Sequence, residues 1–290
     1  MKFFYFLIIT SLLSFGVLAQ QGTPFSWSLN YLPTNKESES KLLQTQLSLN
    51  APVFNDSSFT GLIGTSFKYY GFRFKNDSLN IYHLYSWSIP FTFQIKTSDS
   101  RYVTFMLEPM LSSGFKSIRA SDFRYNLALL FIKRKLLKST GFGIAVSKRF
   151  SGFQLAPMWV ANFRVGQHWI FTGTIPFKSK IAYEIDSKKQ LGINFGANTN
   201  SFRLYENGEG YYLDYQTIEA SLFYQHTILK NVKLHLGFGA QSLQSKVYNN
   251  RQTSPLGIFL IYPNNTHEPI ETYTNKGMIL VQLGVSYAIQ

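Results

Sequence analysis

Five histidines, His83, His168, His226, His235 and His267, are the side chains that titrate near neutrality. Acyl transfer would need one of them beside a serine, with a third group orienting the imidazole. Residues two apart on a strand share a face. His83 shares its face with Tyr85, and Ser86 lies opposite. His226 falls close to Leu229, at a strand end. His235 shares its face with Gly237, with no serine within two positions, and His267 sits in a long polar stretch. No His-x-Ser arrangement exists, so the chain is expected not to be an enzyme; an outer-membrane lipid hydrolase or deacylase is the alternative. No two histidines stand at ligand spacing and the acids are scattered, so no metal and no cofactor is expected. Gly237 and Gly239 alternate along a strand pattern and precede no helix, so they predict packing rather than a phosphate cradle. Cysteine is absent, which excludes a thiol nucleophile, a disulfide framework and a lipoprotein anchor.

A second set of ionisable residues falls where the alternation predicts an interior: Lys68, Glu108, Arg124, Glu184, Glu219 and His235. Such groups are costly unless hydrated or paired. Paired, they would plug a narrow barrel; hydrated, they would line a channel and tune its selectivity. The absence of a long internal segment to serve as a gated plug favours the narrow or plugged form. In a channel, basic loops would favour anionic solutes.

The elements that must position these residues are strands. From Ile279 the odd positions are Ile279, Val281, Leu283, Val285, Tyr287 and Ile289; the even ones are Leu280, Gln282, Gly284, Ser286, Ala288 and Gln290. One face is apolar, the other mostly small or polar. The pattern recurs at 85–95, 123–131, 142–147, 191–196 and 234–241. The mature chain shows no convincing helical period. Short polar connections at 97–100, 135–140, 166–168, 186–189 and 229–231 alternate with longer ones at 33–40, 206–210 and 246–276. This predicts an all-β, antiparallel, up-and-down transmembrane β-barrel of about 14 strands, with 12 as the alternative. The doubtful segments are Met158 to Arg164 and the pair around Pro176. Pro90, Pro109 and Pro157 each predict a bulge or a strand end.

Which way the apolar face points depends on the rest of the chain. Met1-Lys2, an uncharged apolar stretch from Phe3 to Leu18, and Val17-Leu18-Ala19 form a secretory signal pattern. Residues 1–19 are expected to be cleaved, leaving 20–290 as one barrel domain; a retained membrane helix is the alternative. Charged residues make up 15% and aromatics 17%, too few charges for the polar face of a soluble sandwich. The net charge, +13 or +12 without Lys2, suits anionic lipid head groups and lipopolysaccharide better than nucleic acid in an exported chain. Tyr85, Tyr125 and Tyr287 suit interface girdles. The expected location is the outer membrane of a Gram-negative bacterium. The role left open is structural, binding or small-solute permeation, with a surface adhesin or assembly partner using 246–276 as a further alternative.

Two resemblances add to this. Gln282, Gly284, Tyr287 and Ile289 resemble the closing-strand signal read by barrel assembly machinery, although Gln290 stands where an aromatic residue often ends such chains. From Phe25 to Gln290 the chain resembles uncharacterised outer-membrane barrels of Bacteroidota-type bacteria, a domain of unknown function. The similarity rests on Asp122-Phe123-Arg124-Tyr125, Phe153 to Pro157 and the short strands around Ile175-Pro176. It implies fold and location, and transfers no catalytic or binding residue.

Overall fold

Alternation becomes strand wherever it is sustained. The computed structural model describes residues 22–33, 40–74, 83–115, 118–206, 209–249, 256–259 and 268–289. The signal pattern, His267 and Gln290 lie outside them. The described strands are β1 (Gly22–Leu32), β2 (Ser40–Asn55), β3 (Phe59–Phe74), β4 (His83–Ser88), β5 (Phe91–Ser98), β6 (Arg101–Ser113), β7 (Phe123–Lys135) and β8 (Lys138–Arg149). They continue with β9 (Gly152–Val165), β10 (Trp169–Ile175), β11 (Lys178–Glu184), β12 (Lys189–Glu206), β13 (Glu209–Leu229), β14 (Val232–Asn249), β15 (Leu256–Ile258) and β16 (Glu271–Ile289).

These strands close into an antiparallel barrel of 14 staves. Each stave pairs with the next, and β16 pairs with both β14 and β1. β4 and β5 share one stave between β3 and β6. Pro90 explains the break. It cannot donate to the ladder, yet its carbonyl accepts from Gly64 N at 2.8 Å and Ile89 N donates to Pro109 O at 3.0 Å. Pro109 and Pro157 lie inside β6 and β9. Both doubtful segments are staves: β9 contains Met158 to Arg164, and β10–β11 flank Pro176.

Both described chain ends and the connections at 99–100, 136–137, 166–168, 185–188 and 230–231 lie on one side, the turn side. The long connection between β14 and β16 lies on the other, the loop side. All four tryptophans, Trp27, Trp87, Trp159 and Trp169, occupy outward strand positions beside Leu47, Phe67, Phe142 and Val165. The barrel thus presents an apolar exterior, as the alternation predicts.

Two features depart from regular staves. The β10–β11 hairpin is short: β10 pairs with β9 only up to Trp159, and β11 with β12 only up to Gly196. Above it the wall would have a notch. β15 fills it, running parallel to β9. Phe259 N donates to Leu155 O at 2.8 Å, and the Phe259 ring packs 4.9 Å from Phe177.

The second departure closes the mouth. Residues 200–203 of β12 and 212–215 of β13 are buried on both faces. One face sends Phe202, Leu213 and Tyr215 against Tyr70, Phe72 and Leu84. The other sends Tyr212, with Tyr248, against Phe150 of the β8–β9 turn. Arg203 reaches Ser113 of β6, a strand far round the wall. The end of the β12–β13 hairpin therefore crosses the loop-side mouth, packed between opposite walls.

Leu280, on the mostly small or polar inward face, and Met278 join the same apolar cluster. Two expectations are corrected. No longer loop spans 206–210: β12 and β13 stay paired to Glu206 and Glu209. The connection expected at 246–276 is shorter, because β14 runs to Asn249 and β16 begins at Glu271. A bulge at Gly277, with φ 63°, lets β16 continue upward past its regular alternation.

Candidate functional site: two cavities beneath a sealed mouth

Below the apolar mouth the barrel keeps two interior cavities. The first, about 440 Å³, lies among β3, β4, β6–β9 and β12. Lys68, Glu108 and Arg124 line it. The structure adds Arg149, Gln154 and Asn200. The second, about 500 Å³, lies among β1, β2, β11–β14 and β16. Glu219, His235, Gln282 and Gly284 line it, and the structure adds Lys178 and Lys180. Phe177 and Asn198 border both, so the cavities adjoin there.

In the first cavity Asn126 Nδ2 donates to Glu108 Oε2 at 2.9 Å. Thr199 Oγ1 donates to Gln154 Oε1 at 3.1 Å, tying β12 to β9 above the short hairpin. Asn200 Nδ2 donates to Tyr70 Oη at 3.1 Å, joining the cavity roof to the apolar cluster. The guanidinium of Arg124, 5% exposed, lies 4.9 Å from the Phe150 ring centroid, and that of Arg203 lies 4.4 Å from the same centroid.

Two residues lining the second cavity pack on the buried Phe223. His235 stacks on its ring at 5.3 Å and Lys180 Nζ sits over it at 4.6 Å. Lys180 also donates to Gln190 Oε1 at 3.0 Å and Gln225 Oε1 at 3.3 Å. Gly192 is required by this ring: a Cβ there would meet Phe223 Cε1 at 2.7 Å and the Ile181 carbonyl at 2.1 Å. Ser221 Oγ donates to Gln282 Oε1 at 2.8 Å, so a residue of the closing-strand pattern is part of the interior network.

The remaining predicted residues lie elsewhere. Glu184 stands near the turn-side rim, paired with Arg164 at 2.5 Å. Tyr287 points outward, and Asn231 Nδ2 donates to its hydroxyl at 3.3 Å. Ile289 ends β16 opposite Gly22. Tyr85 and Tyr125 lie on outward positions toward the loop side, Tyr287 toward the turn side.

No described histidine makes a hydrogen bond to a serine. His83 Nδ1 bonds Tyr69 Oη at 2.7 Å, His168 Nδ1 bonds Glu184 O at 2.8 Å, and His226 packs on Tyr224. The described interior presents cations, amides and hydroxyls beside aromatic surfaces. Sequence reasoning missed Arg149, Gln154, Lys178 and Lys180. The first pair sits beside the mouth, and the second on a seven-residue strand whose alternation is weak. Lys178 and Lys180, two apart, were the available signal.

The family profile of DUF6268, described as a domain of unknown function, matches residues 34–279. The chain belongs to the DUF6268 family. No curated protein matches it in sequence. Among solved structures it is similar to an outer-membrane channel from Pseudomonas putida F1, at 8% identity and TM-score 0.46, covering 95% of this chain and 98% of that one. It is also similar to the NanC porin, at 10% identity and TM-score 0.40, covering 91% and 100%. A third is the outer-membrane phospholipase A of Escherichia coli, at 11% identity and TM-score 0.38, covering 93% and 98%.

Proposed function

We propose that this DUF6268 barrel sits in the outer membrane of a Gram-negative, Bacteroidota-type bacterium. There it binds a small solute in its interior and passes it only when the loop-side mouth opens. The carrying observation is the pair of adjoining polar cavities below a mouth closed by the β12–β13 hairpin end. A wide aqueous pore has no place for Tyr70, Phe202 and Tyr215 packed across it. A purely structural plug has no need of adjoining cavities lined by charged and amide side chains. The apolar exterior supports insertion in lipid, where only a closed sheet satisfies every backbone group.

Partners follow from the same reading. Lipids and lipopolysaccharide would contact the outward face and its basic rim. Assembly machinery would take β16 as the closing strand, with Gln282, Gly284, Tyr287 and Ile289 as the residues read. A cleaved signal at residues 1–19 would supply export.

Planar-bilayer conductance of the purified protein tests the function. The unmodified barrel is expected to show little steady conductance, and Phe202→Ala combined with Tyr215→Ala to raise it. Large, steady conductance of the unmodified protein would overturn the closed-mouth reading. Recovery of the protein from cells without detergent, in the periplasmic fraction, would overturn the membrane reading.

A further inference from the structure

Arg124 is buried to 5% exposure and lines the first cavity, yet its Nε and Nη2 have no hydrogen-bond acceptor among the described residues. Gln154, 3% exposed and lining the same cavity, spends its Oε1 on Thr199 and leaves Nε2 without an acceptor. Three N–H-bearing nitrogens on two side chains of one cavity lining therefore lack acceptors. A buried donor without a partner is costly, and more so when it carries charge. Glu108 and Asp214 are the acids whose charge reaches Arg124, and neither forms an ion pair with it. Asn126 already donates to Glu108. Lys68, Arg124 and Arg149 set three cations against the single acid Glu108 in the lining.

We propose that the first cavity is a binding site for a small organic monocarboxylate, with Arg124 and Gln154 holding the carboxylate. This rests on the solute-binding reading above and names its substrate class. The planar guanidinium presents parallel N–H groups matched to the two oxygens of a carboxylate. The lining's excess of cations over its one acid suits an anionic ligand. The rest of the lining gives the ligand its body: Met106, Met110, Met158, Phe177 and Phe259 are apolar and in part aromatic. A volume of about 440 Å³ admits a compact ring or short chain. Phosphate offers the right charge sign but no apolar body, and leaves these five side chains without contact.

The test is calorimetric titration of the detergent-purified full-length protein with benzoate, hexanoate, benzamide and inorganic phosphate. Saturable binding of benzoate or hexanoate is expected, with benzamide at least about tenfold weaker than benzoate and phosphate weaker still. Arg124→Met should abolish the preference for benzoate over benzamide. Gln154→Leu, which keeps all cations, should weaken carboxylate binding several-fold and serves if Arg124→Met does not fold. Equal binding of benzoate and benzamide would remove the carboxylate assignment while leaving the solute-binding barrel standing. Tighter binding of phosphate than of either carboxylate would overturn the substrate class. Carboxylate binding unchanged in both variants would move it away from this cavity. No saturable binding of any of the four, with no rise in conductance when the mouth is opened, would sink both readings.

Discussion

Replacing Phe202 with alanine is the sharpest test of the closed mouth. Phe202 is fully buried, with Tyr70 edge-on at 5.1 Å. Its removal forfeits the transfer free energy of an aromatic ring, about 1.5–3 kcal/mol. It also leaves a void, because opposing walls hold the mouth on both sides. A residual volume of roughly 80 Å³, at about 24 cal/mol per Å³, adds about 2 kcal/mol. The outward Phe238, 60% exposed, supplies the control. Phe238→Ala loses a comparable transfer term, but lipid tails fill the space and no void persists. Phe202→Ala should therefore destabilise by about 2 kcal/mol more than Phe238→Ala. Reversible urea unfolding in lipid vesicles, followed by tryptophan fluorescence, measures both. Equal losses, or a larger loss at Phe238, would refute a packed mouth. Phe202→Ala should also raise bilayer conductance, and Phe238→Ala should not.

Further outcomes follow from other parts of the barrel. All four tryptophans occupy outward positions, so brominated phospholipids should quench most of the fluorescence; insensitivity to bromolipid would contradict the membrane-facing exterior. Gly192→Val drives a side chain into Phe223 and the Ile181 carbonyl, and should prevent the heat-modifiable folded band from forming in gel electrophoresis. Arg164→Ala removes a half-exposed ion pair with Glu184 and should cost no more than about 1 kcal/mol. In the turn-side connection, Asp186 Oδ1 accepts from the backbone N–H of Lys188 at 2.7 Å and of Lys189 at 2.8 Å. These bonds, that of Lys188 foremost, hold its carboxyl below the usual carboxylate range. The folded value is depressed, so the turn is stabilised above the unfolded pKa and loses this support as pH falls through the folded one. The Lys188 amide resonance should shift over that acidic interval in the wild type and stay constant in Asp186→Asn.

Alternation across Ile279 to Ile289 is local information. It fixes which side chains point out, and therefore the strands and the apolar exterior, wherever one face is apolar and the other polar. Lys68, Glu108, Arg124, Glu219 and His235 could be placed inside on that ground alone, and all five line the two cavities. Spacing of short polar connections gave the 14 staves, including one that Pro90 interrupts. The mouth was not legible. Residues 200–203 and 212–215 are buried on both faces, so no apolar–polar alternation marks which wall each side chain meets. Their partners lie far away in the chain: Asn200 meets Tyr70, and Arg203 meets Ser113. Only closure of the barrel brings these together. The same closure buries Arg124 and Gln154 in the lining of one cavity and turns an inward-facing charge into a candidate binding group.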